Sequence, residues 1–300
     1  MREAHLRDFI AVVETGSVRA AARRLELTQG AVSKNLTALE REYGVPLLVR
    51  STRGVELTDF GRILLRRARL ADTELRKAVE EIAAHSGDQR GVINVGLSST
   101  AEALLAAPAI ERFRQQRPDT MVCLQGGMAL TMVSMLREGK LDFAVAPASP
   151  ASVGSDLHAE RLLSTDLVVI ARDSHPAAQA TSLEELVGYE WIVGTRLEDK
   201  SEPSIVSVFR EAELPLPVFS VQRDSFSALI YLLLQTDQLA IATQPSVLPF
   251  CRCGMLTIVP LQLQLPSPAQ YLLTSANRPL TPNATLLAAE FRRARRAYKR

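Results

Sequence analysis

Apolar residues at Leu6, Phe9, Ile10 and Val13 recur at helical spacing until Gly16 breaks the pattern. Ser17 then offers an N-cap for VRAAARRL, in which Val18, Ala21, Ala22 and Leu25 make a buried stripe while Arg19, Arg23 and Arg24 stay outside. Only Glu26 and Leu27 separate that helix from Thr28, the next N-cap candidate. The stretch from residue 27, LTQGAVSKNLTALE, keeps Val32, Leu36 and Leu39 for a core. Two helices joined so tightly, with small Ala22 where they approach and Val32 inside the second, predict a helix-turn-helix. Past Tyr43 and Gly44, Pro46 opens LLVRSTRGVELT, two short strand-like runs around a turn bearing Arg50, Arg53 and Gly54, which predicts a wing.

Thr58 and Asp59 start a long helix with no proline until Pro108, and Gly61, Leu64, Ala68, Ala71, Leu75, Ala78 and Ile82 alternate steps of three and four. This heptad seam predicts a two-helix coiled coil between subunits; one amphipathic helix packed on its own domain is the alternative. Ser86-Gly87-Asp88 ends the helix and marks a hinge. From Gly91 the texture changes: GVINVGL, AEALLAAPAIERFRQQ, TMVCLQ, LTMVSMLREG and LDFAVAP read as βαβαβ with a mainly parallel sheet. A second α/β unit runs from DLVVIAR at 166–172 through WIVG, a helix near Ser204 to Ala212, VFSVQR, SFSALIYLLLQ and LAIAT. TPNATLLAAEFRRARRAYK supplies a terminal helix that returns to the first lobe.

Composition narrows the class without choosing a function. Three hundred residues at 47% hydrophobic content suffice for two or three domains with real cores. Formal charge is only +2; residues 1–90 carry 16 Lys+Arg against 13 Asp+Glu, or +3, leaving 19 against 20, or −1, for residues 91–300. The opening MREAHLRDFIAVVETG is charged throughout, and no apolar run approaches the roughly 18 residues of a membrane span, so the chain is read as cytoplasmic with no membrane partner. Cys123, Cys251 and Cys253 give no disulfide framework, and Cys251-x-Cys253 has no nearby histidine to complete a metal site. An enzyme is disfavoured: there is no Gly-x-Ser-x-Gly elbow and no P-loop, and the four histidines are scattered at 5, 85, 158 and 175.

The second short helix turns Gln29, Ser33, Lys34 and Thr37 away from its apolar residues. A merely solvated face is more often filled with Glu and Lys pairs, whereas amides, hydroxyls and an ammonium suit the hydrogen-bonding edges in a DNA groove. The run LRDFIAVVETGSVRAAARRLELTQGAVSKNLTALEREYGVPLLVRSTRGVELTDFGRILL resembles the N-terminal region of LysR-type transcriptional regulators almost position by position, and the resemblance covers essentially the whole chain. It implies an α/β protein with a winged helix-turn-helix at 1–58, a linker dimerisation helix at 59–88 and an effector domain at 91–300 similar to periplasmic binding proteins. Lobe I is expected at about 91–162 and 267–300, lobe II at about 163–266. By the family's docking, Gln29 pairs with adenine, Lys34 donates to guanine and Ser33 shares their face, while Thr28, Arg19, Arg50 and Arg53 meet phosphates. The implied partners are double-stranded promoter DNA, further copies of the chain as a dimer and homotetramer, and RNA polymerase. Where the family usually has proline this chain has Gly30, which loosens the helix start.

Strand 92–97 delivers Ser98, Ser99 and Thr100 to a helix start, where hydroxyls and free N–H groups suit a carboxylate; a simple N-cap is the alternative for each. Gly126, Gly127 and Met128, and Ala146 and Pro147, follow the next two strands and approach the same crevice. The family's cleft adds Thr195, Arg196, Ser225, Phe226 and Thr243. The expected ligand is a small organic acid acting as effector, with no other cofactor and no metal. A transport-type binding protein would fit residues 91–300 alone but not the N-terminal helices, and a regulator with no small effector remains open.

Overall fold

The computed structural model describes residues 3–51, 54–86, 90–148, 150–194, 204–263, 265 and 267–298. They form two compact units, residues 1–88 with 138–140 and residues 89–137 with 141–300.

In the first unit, α1 (Glu3–Thr15), α2 (Val18–Arg24) and α3 (Gln29–Tyr43) pack around Phe9, Val12, Ala21, Val32 and Leu39, each fully buried. The caps are those the sequence predicts. Ser17 Oγ accepts from Ala20 N at 3.4 Å and Thr28 Oγ1 from Ala31 N at 3.2 Å. Gly16 and Gly44 stop their helices at φ 66° and 68°, a left-handed conformation that glycine adopts without steric cost. β1 (Leu48–Ser51) and β2 (Gly54–Leu57) form the antiparallel wing, and its base is tied to α3 because Glu40 Oε1 accepts from Leu47 N at 2.8 Å and Leu48 N at 3.2 Å.

Thr58 caps α4 (Asp59–His85) by accepting from Gly61 N at 2.9 Å. The expected seam along α4 divides in two. Gly61, Leu65 and Ala68 are buried with the core of the short helices, and Leu64 is half-buried beside them. Ala71, Leu75, Ala78 and Ile82 are exposed, joined by Phe60, Ile63 and Val79. The first turns therefore follow the intrachain alternative, and only the rest offers an apolar stripe to a partner.

The second unit holds two five-stranded sheets. β3 (Gly91–Leu97) leads to α5 (Ser99–Ala101), a π-helical turn over Glu102–Ala106 and α6 (Ala107–Gln116). Pro108 accounts for the π turn: it has no N–H, and its ring would strike the carbonyl four residues back in a regular helix. β4 (Thr120–Gly126), α7 (Ala129–Arg137), β5 (Phe143–Ala146), α8 (Pro150–Val153) and β6 (Leu157–Ser164) complete the outward run. The second sheet is built from β7 (Leu167–Arg172), β8 (Glu190–Val193), α9 (Ser204–Glu211), β9 (Val218–Gln222), α10 (Phe226–Gln235), β10 (Leu239–Thr243), α11 (Gln244–Arg252) and β11 (Leu256–Ile258). The chain then returns through β12 (Ala269–Ser275) to the first sheet and ends in α12 (Pro282–Tyr298).

Strand orders are β4-β3-β5-β12-β6 and β11-β7-β10-β8-β9. In the first sheet β3 is parallel to β4 and β5, and β12 runs antiparallel to both neighbours. Phe291 of α12 meets Phe143 edge-on with ring centroids 5.6 Å apart, sealing lobe I. Trp191 and Phe209 do the same for lobe II at 6.0 Å. Three strands and two helices were not expected from the pattern: β6, β11, β12, α8 and α11. β6 is an edge strand carrying Glu160 and Arg161 at its middle, and α11 contains Pro245 and Pro249.

At Gly61 an added Cβ would lie 2.1 Å from Leu47 O and 2.9 Å from Leu57 Cδ2. Gly61→Ala is expected to cost about 1–3 kcal/mol through the shift this clash forces, read as a fall in the denaturant midpoint of the intact chain.

Candidate DNA-reading surface and ligand cleft

α3 is fixed from behind and free in front. Val32, Leu36 and Leu39 are buried, and Asn35 Nδ2 donates to Asp8 Oδ2 of α1 at 2.7 Å with Asp8 only 2% exposed. On the opposite side Thr28, Gln29 and Lys34 are exposed, Ser33 is half-buried, and Arg19 projects exposed from α2. Among the described residues no ion pair or side-chain hydrogen bond engages Arg19, Gln29 or Lys34. Three other exposed arginines of this unit are paired, Arg7 with Glu3 at 2.5 Å, Arg24 with Glu14 at 2.8 Å and Arg62 with Asp59 at 2.6 Å, whereas Arg23, Arg41, Arg66 and Arg67 are exposed without an ion pair among the described residues. Arg50 contributes its backbone to β1; its side chain and all of Arg53 lie outside the described residues. The Asp8–Asn35 bond escaped the sequence reading, since nothing local distinguishes Asp8 from a solvated aspartate.

In the second unit a cleft of about 510 Å³ opens between the two sheets. Ser98, Ser99, Thr100, Gly127, Met128 and Pro147 line it from lobe I, and Thr243 and Phe226 from lobe II. Ser98 Oγ caps α5 by accepting from Ala101 N at 3.3 Å and donates to Gln270 Oε1 of β12 at 2.7 Å, so for this residue the N-cap reading holds. Thr100, 2% exposed, bonds across to Thr243, the two Oγ1 atoms 2.7 Å apart. Thr243 Oγ1 also donates to Ser246 Oγ at 3.1 Å. Ser99 is half-buried and faces the cleft. Ala146 is a correction: it is fully buried in β5 opposite Tyr271, packed in the core, and does not line this cleft. Thr195 and Arg196 lie outside the described residues, next to Gly194, which lines the cleft.

A second chamber of about 820 Å³ adjoins the first, sharing Ser99, Gly127, Met128, Arg223 and Phe226. Ser225, which caps α10 by accepting from Ala228 N at 3.4 Å, lines only this chamber. Three charged residues that the sequence reading passed over face it: Glu102 on the π turn, and Arg223 and Asp224 after β9. Burial raises the Glu102 carboxyl above its usual range and pushes the Arg223 guanidinium below its own. Arg223 had a legible signal, a charge at the carboxyl end of a strand directly before a helix cap. Glu102 had none.

With this geometry in view, the likeness to known proteins is informative. A model of bacterial regulatory helix-turn-helix proteins of the lysR family matches residues 4–62, and a LysR substrate binding domain model matches residues 86–296. The chain belongs to the LysR family of DNA-binding transcriptional regulators. It is 30% identical over 268 residues to the HTH-type transcriptional regulator TdcA of Escherichia coli K12, covering 89% of this chain and 84% of TdcA. It is 30% identical over 259 residues to GalR of Pseudomonas putida, covering 86% of this chain and 65% of that protein. Full-length CbnR, a LysR family regulator, superposes with a TM-score of 0.70 at 21% identity, over 98% of this chain and 99% of CbnR. CbnR in complex with its target DNA gives 0.69 at 22%, over 98% and 100%. The family is one of regulators, not of enzymes. Among the described residues no helix is long and apolar enough to cross a membrane, and no group of three or more His, Cys, Asp or Glu is placed to hold a metal.

A Cβ at Gly30, in the first turn of α3, would have nothing within 4 Å. Gly30→Ala is therefore expected to stabilise the chain by about 0.5–1 kcal/mol through a less flexible unfolded state, read by urea denaturation.

Proposed function

We propose that this LysR-family regulator reads promoter DNA with α3 in the major groove and senses a small organic acid in the cleft between its lobes. The observation that carries the first part is the outward face of α3, where Gln29 and Lys34 are exposed and without side-chain partners among the described residues while the opposite face is locked. Gln29 pairs with adenine, Lys34 donates to guanine, Ser33 adds a hydroxyl, and Thr28, Arg19, Arg50 and Arg53 take phosphates. CbnR solved on its target DNA, with the same fold, supports this docking. The exposed stripe of Leu75, Val79 and Ile82 on α4 supports pairing of two chains, hence an interrupted two-fold site, and two dimers make a homotetramer. Cytoplasmic location and work beside RNA polymerase follow from that role.

In the cleft an incoming carboxylate accepts from Ser99 and from Thr100 in place of the Thr100–Thr243 bond. Loss of that contact lets the lobes shift, changing DNA bend and transcription. Gly127, Met128, Pro147 and Phe226 shape the rest of the site; no other cofactor is needed.

Lys34→Ala is expected to lower specific affinity by about 1–3 kcal/mol with the loss confined to one base position, whereas Arg19→Ala weakens all sequences and reduces the salt slope by roughly one. Competition binding at several salt concentrations checks both, and an equal loss for Lys34→Ala on operator and random duplex would sink the base-reading role. For the cleft, thermal melting across a panel of mono- and dicarboxylic acids should find at least one stabilising acid. A Ser99→Ala, Thr100→Ala double variant that still responds fully removes those residues from the site.

A further inference from the structure

Glu102 and Arg223 face one chamber from opposite lobes; Glu102 is exposed and Arg223 half-buried, and burial shifts each toward its neutral form, offset in part for Arg223 by the charge of Asp224. The Arg223 Nε–H is buried and meets no acceptor among the described residues, and no ion pair among them joins Arg223 to Glu102. Its guanidinium lies 6.0 Å from the Phe226 ring centroid, a cation over an aromatic face. A Cβ at Gly126 would lie 3.0 Å from Glu102 Oε1, so glycine there gives the carboxylate its place. The chamber thus receives charges of opposite sign from its two lobes. Asp224 also lines the chamber but is exposed, where water screens it. The remaining wall is largely apolar, with Ile230, Leu234, Phe250 and Met255 beside Phe226.

We infer that this chamber binds a small zwitterion, an α-amino acid with an apolar side chain, whose carboxylate pairs with Arg223, whose ammonium pairs with Glu102 and whose side chain packs on Phe226, Ile230 and Phe250. The inference rests on the reading of the inter-lobe region as a ligand site and narrows the ligand from any organic acid to one carrying both charges. A simple carboxylate satisfies Arg223 and leaves Glu102 unpaired; a simple amine does the reverse. Only a molecule with both groups pairs with both charges at once, and each charged hydrogen bond adds to the selectivity.

The test is thermal melting and calorimetric titration of the full chain with L-leucine, L-methionine and L-phenylalanine, each beside its N-acetyl form, which lacks the ammonium, and its amide, which lacks the carboxylate. The expected result is that at least one free amino acid binds roughly tenfold or more tightly than either blocked form. Glu102→Gln should abolish the preference over the N-acetyl form, and Arg223→Gln the preference over the amide. A merely structural role for either residue would weaken all three forms alike. The comparison of free and blocked ligands on the unaltered chain decides the matter even where a variant does not fold. If N-acetyl forms bind as well as the free amino acids, the zwitterion inference is overturned while the organic-acid reading of the cleft stands. If none of these compounds binds, the inference is likewise overturned, and the cleft is then judged by the carboxylic-acid panel and the Ser99, Thr100 variant alone.

Discussion

The setting of α3 rests on one constraint, the burial of Val32, Leu36 and Leu39 together with the bond from Asn35 to the buried Asp8. Burial alone contributes about 1.5–3 kcal/mol per large side chain but is indifferent to direction, so it fixes which face is inside without fixing the last tens of degrees. The Asp8–Asn35 bond supplies direction. Turning α3 by one residue, about 100°, would expose part of the stripe and leave the Asp8 carboxylate buried without its donor. Because that rotation is closed off, Gln29 and Lys34 are presented on a helix that does not have to be organised on contact, and the entropy of ordering them is confined to their own side chains.

α4 carries the same logic outward. Its first turns belong to the core of the short helices, with Gly61 pressed so closely on Leu47 O that no side chain fits between them. The remainder presents Leu75, Val79 and Ile82 to the exterior at 49%, 66% and 69% exposure, a run of large apolar side chains on one face of a 27-residue helix about 40 Å long. A stripe of this kind is stabilised by a second copy. The anchored segment and the exposed stripe are one continuous helix, so under the proposed pairing the separation of two reading heads is governed by a stiff element and not by a flexible linker.

How far the chain could be read in advance follows from the range of the interactions involved. Ser17, Thr28, Thr58 and Gly44 act within four residues of themselves, so their helix boundaries were visible as spacing alone. The seam on α4 was visible as a period, yet its division was not, because Gly61 and Ala68 are claimed by residues distant in the chain. β6 hid behind Glu160 and Arg161, which an edge strand tolerates; Glu160 in fact meets Arg292 of α12 at 2.7 Å. In the cleft, residues at strand ends were foreseeable from topology, but Ala146 shows the limit: a position at the right end of β5 can still point into the core. Glu102 and Arg223 come from different lobes, and no local pattern announces that they share a chamber.

Three adjacent hydroxyls show how tightly sensing and architecture are combined. Ser98 is committed to its cap and to Gln270 of the returning strand, so it holds lobe I together; Thr100 is committed to Thr243, so it joins lobe I to lobe II; Ser99 alone is uncommitted. On the proposed reading a ligand entering at Thr100 replaces one hydroxyl bond by another, an exchange between contacts of about 0.5–1.5 kcal/mol each, whose difference is smaller still. Such an exchange alone moves a two-state equilibrium little, since a ligand shifts populations only by its differential affinity for the two arrangements. The larger difference has to come from groups whose pairing depends on lobe position and whose isolation is expensive. On the proposed reading Arg223 in lobe II and Glu102 in lobe I supply that difference, because a ligand that spans them is bound fully only where the lobes stand at the separation it bridges. In that scheme the hydroxyls recognise the ligand and the charges convert its binding into movement.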